Sequence, residues 1–467
     1  MAGILLGGNF YQSKNKTKDK RKSCRSKLEL FTGKELILTV YVVLKRHYPD
    51  FELLLGQIPD HRKRSTYQVA EILMVGLMLF VFKRGSRNNA DMGVRGSFEE
   101  NYRNLFGMRL PVMDTVDIFL RALDPGELEM LKRILVGNLV RKRVLDKFRF
   151  RGHFLVAIDG TGLYSYSYEP FAGCPSKTSK NGQTTWQVYA LEAKLVCQAG
   201  FSISLATEWL NNSENISEKQ DCELKAFYRL AGRLKKLYPR LPMTLLADSL
   251  YPNRNVFEIC RRNGWSYIFT FKEGVLPSLW EEINSLQPLG DNVRHRQSRV
   301  KEYHKTKGWL TETSMYVKDV CYREKYTMNW IEYTSFYSSC PGEPERFTHL
   351  TDLEVDNSSA WEVSSHGRMR WKIENEGFNT QKNQGYGLGH KYSRRHFTAM
   401  RNYYELLQIA HLINQLTEKL QKVREAVKSA GTTIKAVVED MVSSMQKENI
   451  SHDEIQEAML LTVQLRY

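Results

Sequence analysis

The stretch Leu155-Val156-Ala157-Ile158-Asp159-Gly160-Thr161-Gly162 decides the fold of this chain. Its apolar run, begun at Phe154, predicts a short buried strand. A carboxylate at the end of such a strand is costly unless a cation or hydrogen bonds compensate it. Gly160 and Gly162 let the backbone turn sharply beside Asp159 and leave room for a large ligand. The stretch Met243-Thr244-Leu245-Leu246-Ala247-Asp248-Ser249 repeats the pattern, an apolar strand closed by an acid. A third acid, Glu374, lies inside a basic, helix-favouring segment, Arg368-Met369-Arg370-Trp371-Lys372-Ile373-Glu374-Asn375-Glu376-Gly377-Phe378. Strand ends that share one edge of a sheet are where α/β folds place ligands. Two strand-end aspartates and a helical glutamate, brought together, form a hard-oxygen site for Mg²⁺. Two such ions can clamp the attacking and leaving oxygens of a phosphodiester.

The segments around these acids predict an α/β layered domain. Tyr164, Tyr166 and Tyr168 alternate with Ser, as in a half-exposed strand. Strands over Trp186–Cys197 and Phe201–Leu210 are separated by Gln198-Ala199-Gly200, a hairpin turn. A helix over Asp221–Leu237 opens with Asp221 and Glu223, acids suited to a first turn. Helix Asn253–Asn263, strand Tyr267–Phe271 and helix Pro277–Leu286 follow. Residues 291–350 are rich in aromatic and β-branched residues and predict a β-rich insertion, with strands over Val300–Tyr303, Gly308–Thr313, Ser314–Val320 and Asn329–Tyr337. Helix returns after Leu353.

Residues 29–150 are expected to be mostly helical. Ile72–Phe82 is too short to span a bilayer and predicts a buried helix. Asp124-Pro125-Gly126 punctuates two amphipathic runs, Val116–Leu123 and Leu128–Val144. Residues 400–467 are helical by pattern, with Leu406, Ile409, Leu412 and Ile413 on one face, for packing on the core or for dimerisation. Residues 1–28 are expected to form a basic arm, with eight Lys and Arg between Lys14 and Lys27.

The chain has 467 residues, enough for two or three domains, and 68 Lys plus Arg against 52 Asp plus Glu, a formal charge of +16. That surplus favours a polyanion partner over mere solubility. Seven scattered cysteines, none in Cys-x-x-Cys, argue against a disulfide framework or zinc site and for a reducing compartment. The opening order, apolar and then basic, is the reverse of a signal peptide, so export is not indicated.

Each acid taken singly has a plainer explanation. Asp159 is a turn aspartate, Asp248 an Asx-turn or N-cap residue before the Pro252 loop, and Glu374 a surface glutamate paired with Lys372 or Lys382. All three must hold at once to dismiss a site. Glu376, two residues from Glu374, projects about 200° away on a helix and is the rival for the third position.

The order of these residues resembles the DDE transposases of bacterial insertion sequences, in the insertion-sequence type 4 group. There the first aspartate lies on the first strand, the second after the fourth, and the glutamate on a helix beyond a β-rich insertion. That helix carries Tyr-x2-Arg-x3-Glu-x6-Lys. Arg370 and Glu374 fit. The tyrosine position is Gly367 here, and the lysine position is Gln381, with Lys382 one residue later. The resemblance covers about residues 150–400 and implies an RNase H-like (retroviral integrase-like) catalytic core, 150–290 and 350–400, interrupted at 291–350. It implies catalytic and metal-binding roles for Asp159, Asp248 and Glu374, two Mg²⁺ ions with Mn²⁺ as a substitute, and DNA contacts from Arg370 and Lys382. It implies a homodimer on transposon-end and target DNA in the cytoplasm, at the nucleoid, with end recognition in the helical region 29–150. Water would hydrolyse one strand and the freed 3′-OH would attack target DNA. Members of the group can flip a base onto a tryptophan of the insertion, for which Trp309 and Trp330 are candidates. The glycine-rich segment 385–390 is expected to be a flexible loop that lies on DNA, beside a positive surface of Lys391, Arg394 and Arg395. Two rival readings stand: a metal-dependent RNase H-like nuclease that cuts without joining, and a DNA-binding protein that has lost catalysis.

Overall fold

The computed structural model describes residues 31–212, 222–286, 294–339, 342, 344–460 and 466–467. The basic arm, Asp221, Cys24 and Cys340 lie outside these residues. Among the described residues, seven helices come first: α1 (Gly33–His47), α2 (Phe51–Gly56), α3 (Val69–Val81), α4 (Arg87–Asp91), α5 (Ser97–Phe106), α6 (Met113–Ala122) and α7 (Pro125–Arg141). Local signals set their starts. Thr32 and Glu35 form a reciprocal capping box on α1. Asp124 accepts from Gly126 N at 3.0 Å with Pro125 opening α7. All of α3 is buried, and Arg109 satisfies its one acid, Glu71, at 2.8 Å.

One mixed sheet of ten strands follows. Its strands are β1 (Phe154–Tyr166), β2 (Ser176–Thr178), β3 (Thr184–Val196), β4 (Ser202–Trp209), β5 (Met243–Ala247), β6 (Ser266–Thr270), β7 (Arg294–His304), β8 (Gly308–Tyr322), β9 (Tyr326–Tyr337) and β10 (Glu345–Thr351). Helices α8 (Glu223–Leu237), α9 (Arg254–Asn263) and α10 (Pro277–Leu286) are interleaved. The spatial order is β2-β3-β1-β5-β6-β10-β9-β8-β7, with β4 also on β3. β3 is antiparallel to β1 and to β4, whereas β5 is parallel to β1 and β6 parallel to β5. β7, β8 and β9 extend this same sheet through β10, which pairs antiparallel with β6. No described helix is long and apolar enough to cross a membrane.

Two strand expectations need correction. Asp159 does not end its strand. β1 runs on through Gly160 to Tyr166, held by β3 with one register shift between Gly162 and Tyr164. The glycines therefore do not turn the chain. Gly160 is required for another reason: a Cβ there would stand 2.4 Å from the Tyr189 ring and 3.0 Å from a Glu223 carboxylate oxygen. The predicted break at Thr313-Ser314 is also absent. β8 passes straight through it, because both residues pair with β7 on one side and β9 on the other; buried Glu312 beside them is bonded by Arg299, Lys301 and Tyr333.

The remaining elements are α11 (Ser359–Gly367), a 3₁₀ turn (Arg368–Arg370), a π-helical turn (Ile373–Asn379), α12 (Thr380–Asn383), α13 (Phe397–Glu418), α14 (Gln421–Ser429), α15 (Ile434–Lys447) and α16 (His452–Leu460). α13 has no exposed face between Ala399 and Thr417. Leu406, Ile409, Leu412 and Ile413 pack into the core, and burial extends around the whole helix: α13 is a central helix, touching α3, α6, α7 and β4. Its polar side chains find partners indoors. Asn402 donates to Leu120 O and Leu123 O at 2.8 Å, and Asn414 to Val81 O at 3.2 Å. The N-terminal helices and the sheet thus share one apolar core.

Candidate active site

β1 and β5 pair in parallel as far as Ala157 and Leu246. Asp159 and Asp248 each lie two residues beyond that last pair. Side chains alternate along a strand, so register alone sets both acids on one face, where the two strands part. The helix carrying Glu374 crosses the same face. Asp159, Asp248 and Glu374 line one cleft of about 620 Å³.

Arg370 reaches Asp159 Oδ2 at 3.4 Å, and Gly160 N donates to Asp159 Oδ1 at 3.0 Å. Burial raises the Asp159 carboxyl above its usual range, with Asp248 and Glu374 adding like charge against the lowering by Arg370 and Gly160 N. Asp248 does form the predicted turn contact, accepting from Leu250 N at 2.8 Å. It lines the cleft as well, so the two explanations are compatible. Glu374 is paired with neither Lys372 nor Lys382. Lys372 holds Glu376 at 2.6 Å, and Glu376 points away from the cleft toward Gly200 and Lys419.

The departures from the family helix have physical causes. At Gly367 a Cβ would stand 2.7 Å from the His349 ring and 2.8 Å from Ile268, so no tyrosine fits. Burial, then Arg368, lowers His349 to about 4, which keeps this ring at the cleft floor neutral at pH 7. The lysine arrives one residue late because the π-helical turn takes up one extra residue relative to an α-turn. Lys382 therefore faces the cleft and donates to Thr161 Oγ1 at 3.0 Å. Gln381 is fully buried and donates to Gln408 Oε1 at 2.9 Å.

The rim is basic and aromatic. Lys272, Arg346 and Arg368 join Arg370 and Lys382 around the cleft. Trp371 is half exposed there, its ring 4.5 Å from the Arg370 guanidinium. Neither expected tryptophan lines the cleft. Trp330 is buried beside Trp280 at 6.0 Å, and Trp309 is half exposed against Tyr303. Trp330 is therefore a core residue and is not available to stack a base.

A fourth acid escaped the sequence reading. Glu223, in the first turn of α8, approaches Gly160 and takes a hydrogen bond from buried Tyr251 at 2.9 Å. Burial raises its carboxyl, and Asp159 and Asp248 raise it further. The same charges, after burial, push Tyr189 up to about 12. The sequence signal was present in Glu223, but a first-turn acid already had a sufficient local explanation.

Among the described residues, no three Asp, Glu, His or Cys side chains are arranged to hold one ion directly. The donor chemistry nonetheless suits a hard divalent ion: three carboxylates share a cleft, and Asp159 is loaded with like charge. No known family model matches the chain, and no curated protein is matched by it.

Proposed function

We propose that this chain is a DDE transposase that cuts DNA at transposon ends and joins the freed 3′-OH to target DNA. The observation that carries this reading is the equal offset of Asp159 on β1 and Asp248 just past β5 from the last parallel pair, with Glu374 in the same basic-rimmed cleft. The strand order β4-β3-β1-β5-β6, with β3 alone running antiparallel to the other four, supports an RNase H-like core. Asp159, Asp248 and Glu374 would hold two Mg²⁺ or Mn²⁺ ions. When bound, such ions supply Lewis-acid charge and lower the pKa of water at the phosphodiester. Arg370 and Lys382 supply fixed positive charge for the phosphates beside the reacting bond. The basic rim attracts the phosphate backbone and orients it over the carboxylates. The helical region before residue 150 is assigned to end recognition, in a complex of two copies of the chain.

The test is a purified reaction on DNA carrying the transposon ends. Asp159→Asn, Asp248→Asn and Glu374→Gln should each abolish Mg²⁺-dependent cleavage while DNA binding survives, since each keeps the shape and removes one anionic ligand. Joined products separate a transposase from a nuclease that only cuts. Full activity in all three variants would remove the proposed site.

A further inference from the structure

The segment after α12 is built as a rigid platform. Tyr386, Leu388 and Tyr392 are buried, and Tyr392 OH donates to Tyr386 O at 2.7 Å. The Tyr392 ring meets Phe80 at 5.1 Å and Tyr403 at 5.2 Å. Gly385 and Gly387 take left-handed backbone at φ 87° and 66°, where Lys83 and Gly85 crowd in. The flexible loop expected here is therefore replaced by a pinned one. What it offers to solvent is charge: Arg394 and Arg395 are exposed and have no ion-pair partner among the described residues.

Two clefts of about 460 and 500 Å³ flank this segment and share His390, Lys391 and Arg394. Asp117, the acid lining the first, is already neutralised by Arg87 at 3.1 Å and by Arg121. The second is lined by Tyr166 and Tyr168. Lys391 ties the segment to β1, donating to Ser165 O at 2.6 Å with its ammonium 3.9 Å from the Tyr166 ring centroid. Tyr168 is half exposed and edges onto Tyr166.

β1 thus carries Asp159, then Thr161 beneath Lys382, then Ser165 beneath Lys391. We infer that a second DNA-backbone site lies along β1 beyond the carboxylate cleft, with Lys391, Arg394 and Arg395 on the phosphates and Tyr168 at its far end. The inference rests on the DNA-cutting reading above and extends it to the path of the substrate. Asp159 to Ser165 spans six residues, about 20 Å of extended strand. That length corresponds to about six base pairs of duplex at ~3.4 Å each. The phosphate met by Arg394, which lines one cleft with Ser165, is therefore about six nucleotides from the scissile bond, and Arg395 lines the adjoining cleft for the next phosphate.

The experiment uses the full chain and a fluorescent DNA duplex with methylphosphonates placed singly along one strand, titrated across salt concentration. Arg394→Ala/Arg395→Ala should lower the salt slope of binding by about 2, the counterions of two phosphates. It should also erase the interference from methylphosphonates about six nucleotides out, while leaving that beside the scissile bond. Both arginines are exposed and unpaired, and an unchanged melting temperature checks the fold. Lys422→Ala/Lys428→Ala, on exposed α14, is the equal-charge control. An unchanged slope in the arginine variant, or an equal fall in the control, overturns the site. A wild-type chain that binds no duplex overturns the DNA-cutting reading itself, and this site with it.

Discussion

Two charged clusters lie on one face of the same sheet, and they behave oppositely. Directly across from Asp159 in the β1–β3 register is Glu192. Glu192 is fully buried and bonded by Thr207 and by Tyr404 at 3.0 Å. Around it stand Lys132, in contact with Glu405 at 2.7 Å, and Lys194, which donates to Gln408 at 2.9 Å. This inner cluster fixes how α7, α13 and the sheet meet. The outer cluster, across the same register position, keeps Asp159, Asp248 and Glu374 at an open cleft, with Arg370 on Asp159. The same residue types are locked into packing where they are buried against one another, and stay open to a ligand where they line a cleft.

The largest effect should come from opening the inner cluster. Lys132→Met leaves Glu405 and Glu192 without their buried cation, and a loss of about 3–5 kcal/mol is expected in urea unfolding. Asp159→Asn, by contrast, should leave the melting temperature unchanged or slightly higher, because its charge is disfavoured in the fold. If both variants unfolded alike, the distinction between the clusters would be lost.

Gln381→Lys restores the family spacing on paper, yet it should destabilise the fold by about 2 kcal/mol or more. It sets a second ammonium beside Lys194 in the inner cluster, whereas Lys382→Gln removes the cleft cation and should cost DNA affinity with little stability. Unfolding midpoints and binding curves on the two variants separate these roles.

Lys194 gives a pH signature. Burial lowers it from its ordinary value to about 8. Below pH 8 the folded chain must hold a buried ammonium. Between pH 8 and the unfolded value the unfolded chain binds more protons, so stability rises with pH. Wild type should gain about 2 kcal/mol on Lys194→Met between pH 7.5 and 9.5. Parallel urea curves at the two pH values that showed no gain would mean that the ammonium is not confined.

The smallest effect belongs to Glu376→Gln. It loses an i,i+4 pair with Lys372, worth about 0.3–0.5 kcal/mol. Cleavage should stay close to wild type, in contrast to Glu374→Gln.

The sequence made the apolar strands and their acids legible because both signals are local. An apolar run sets β1 and β5, and an acid follows each. Helix starts at Asp124 and Asn253 were legible for the same reason, as a capping side chain acts within its own turn. What was hidden depends on distant partners. The Gly160–Gly162 step of β1 looks like a sharp turn until β3 pairs with it. The burial of Glu312 depends on Arg299, Lys301 and Tyr333, which lie on other strands. Glu223 needed Tyr251 and the approach over Gly160 to be seen as a neighbour of the cleft acids. α13 looked amphipathic because the partners of its asparagines and glutamines are carbonyls and amides far along the chain.

The π-helical turn at Ile373–Asn379 bears on how such motifs are written. A spacing rule counts residues, but a cleft counts turns. Widening one turn lets the chain hold an extra residue and still present Arg370, Glu374 and Lys382 to the same opening. The side of the helix that a charge occupies, and not its place in a residue count, then decides what that charge meets.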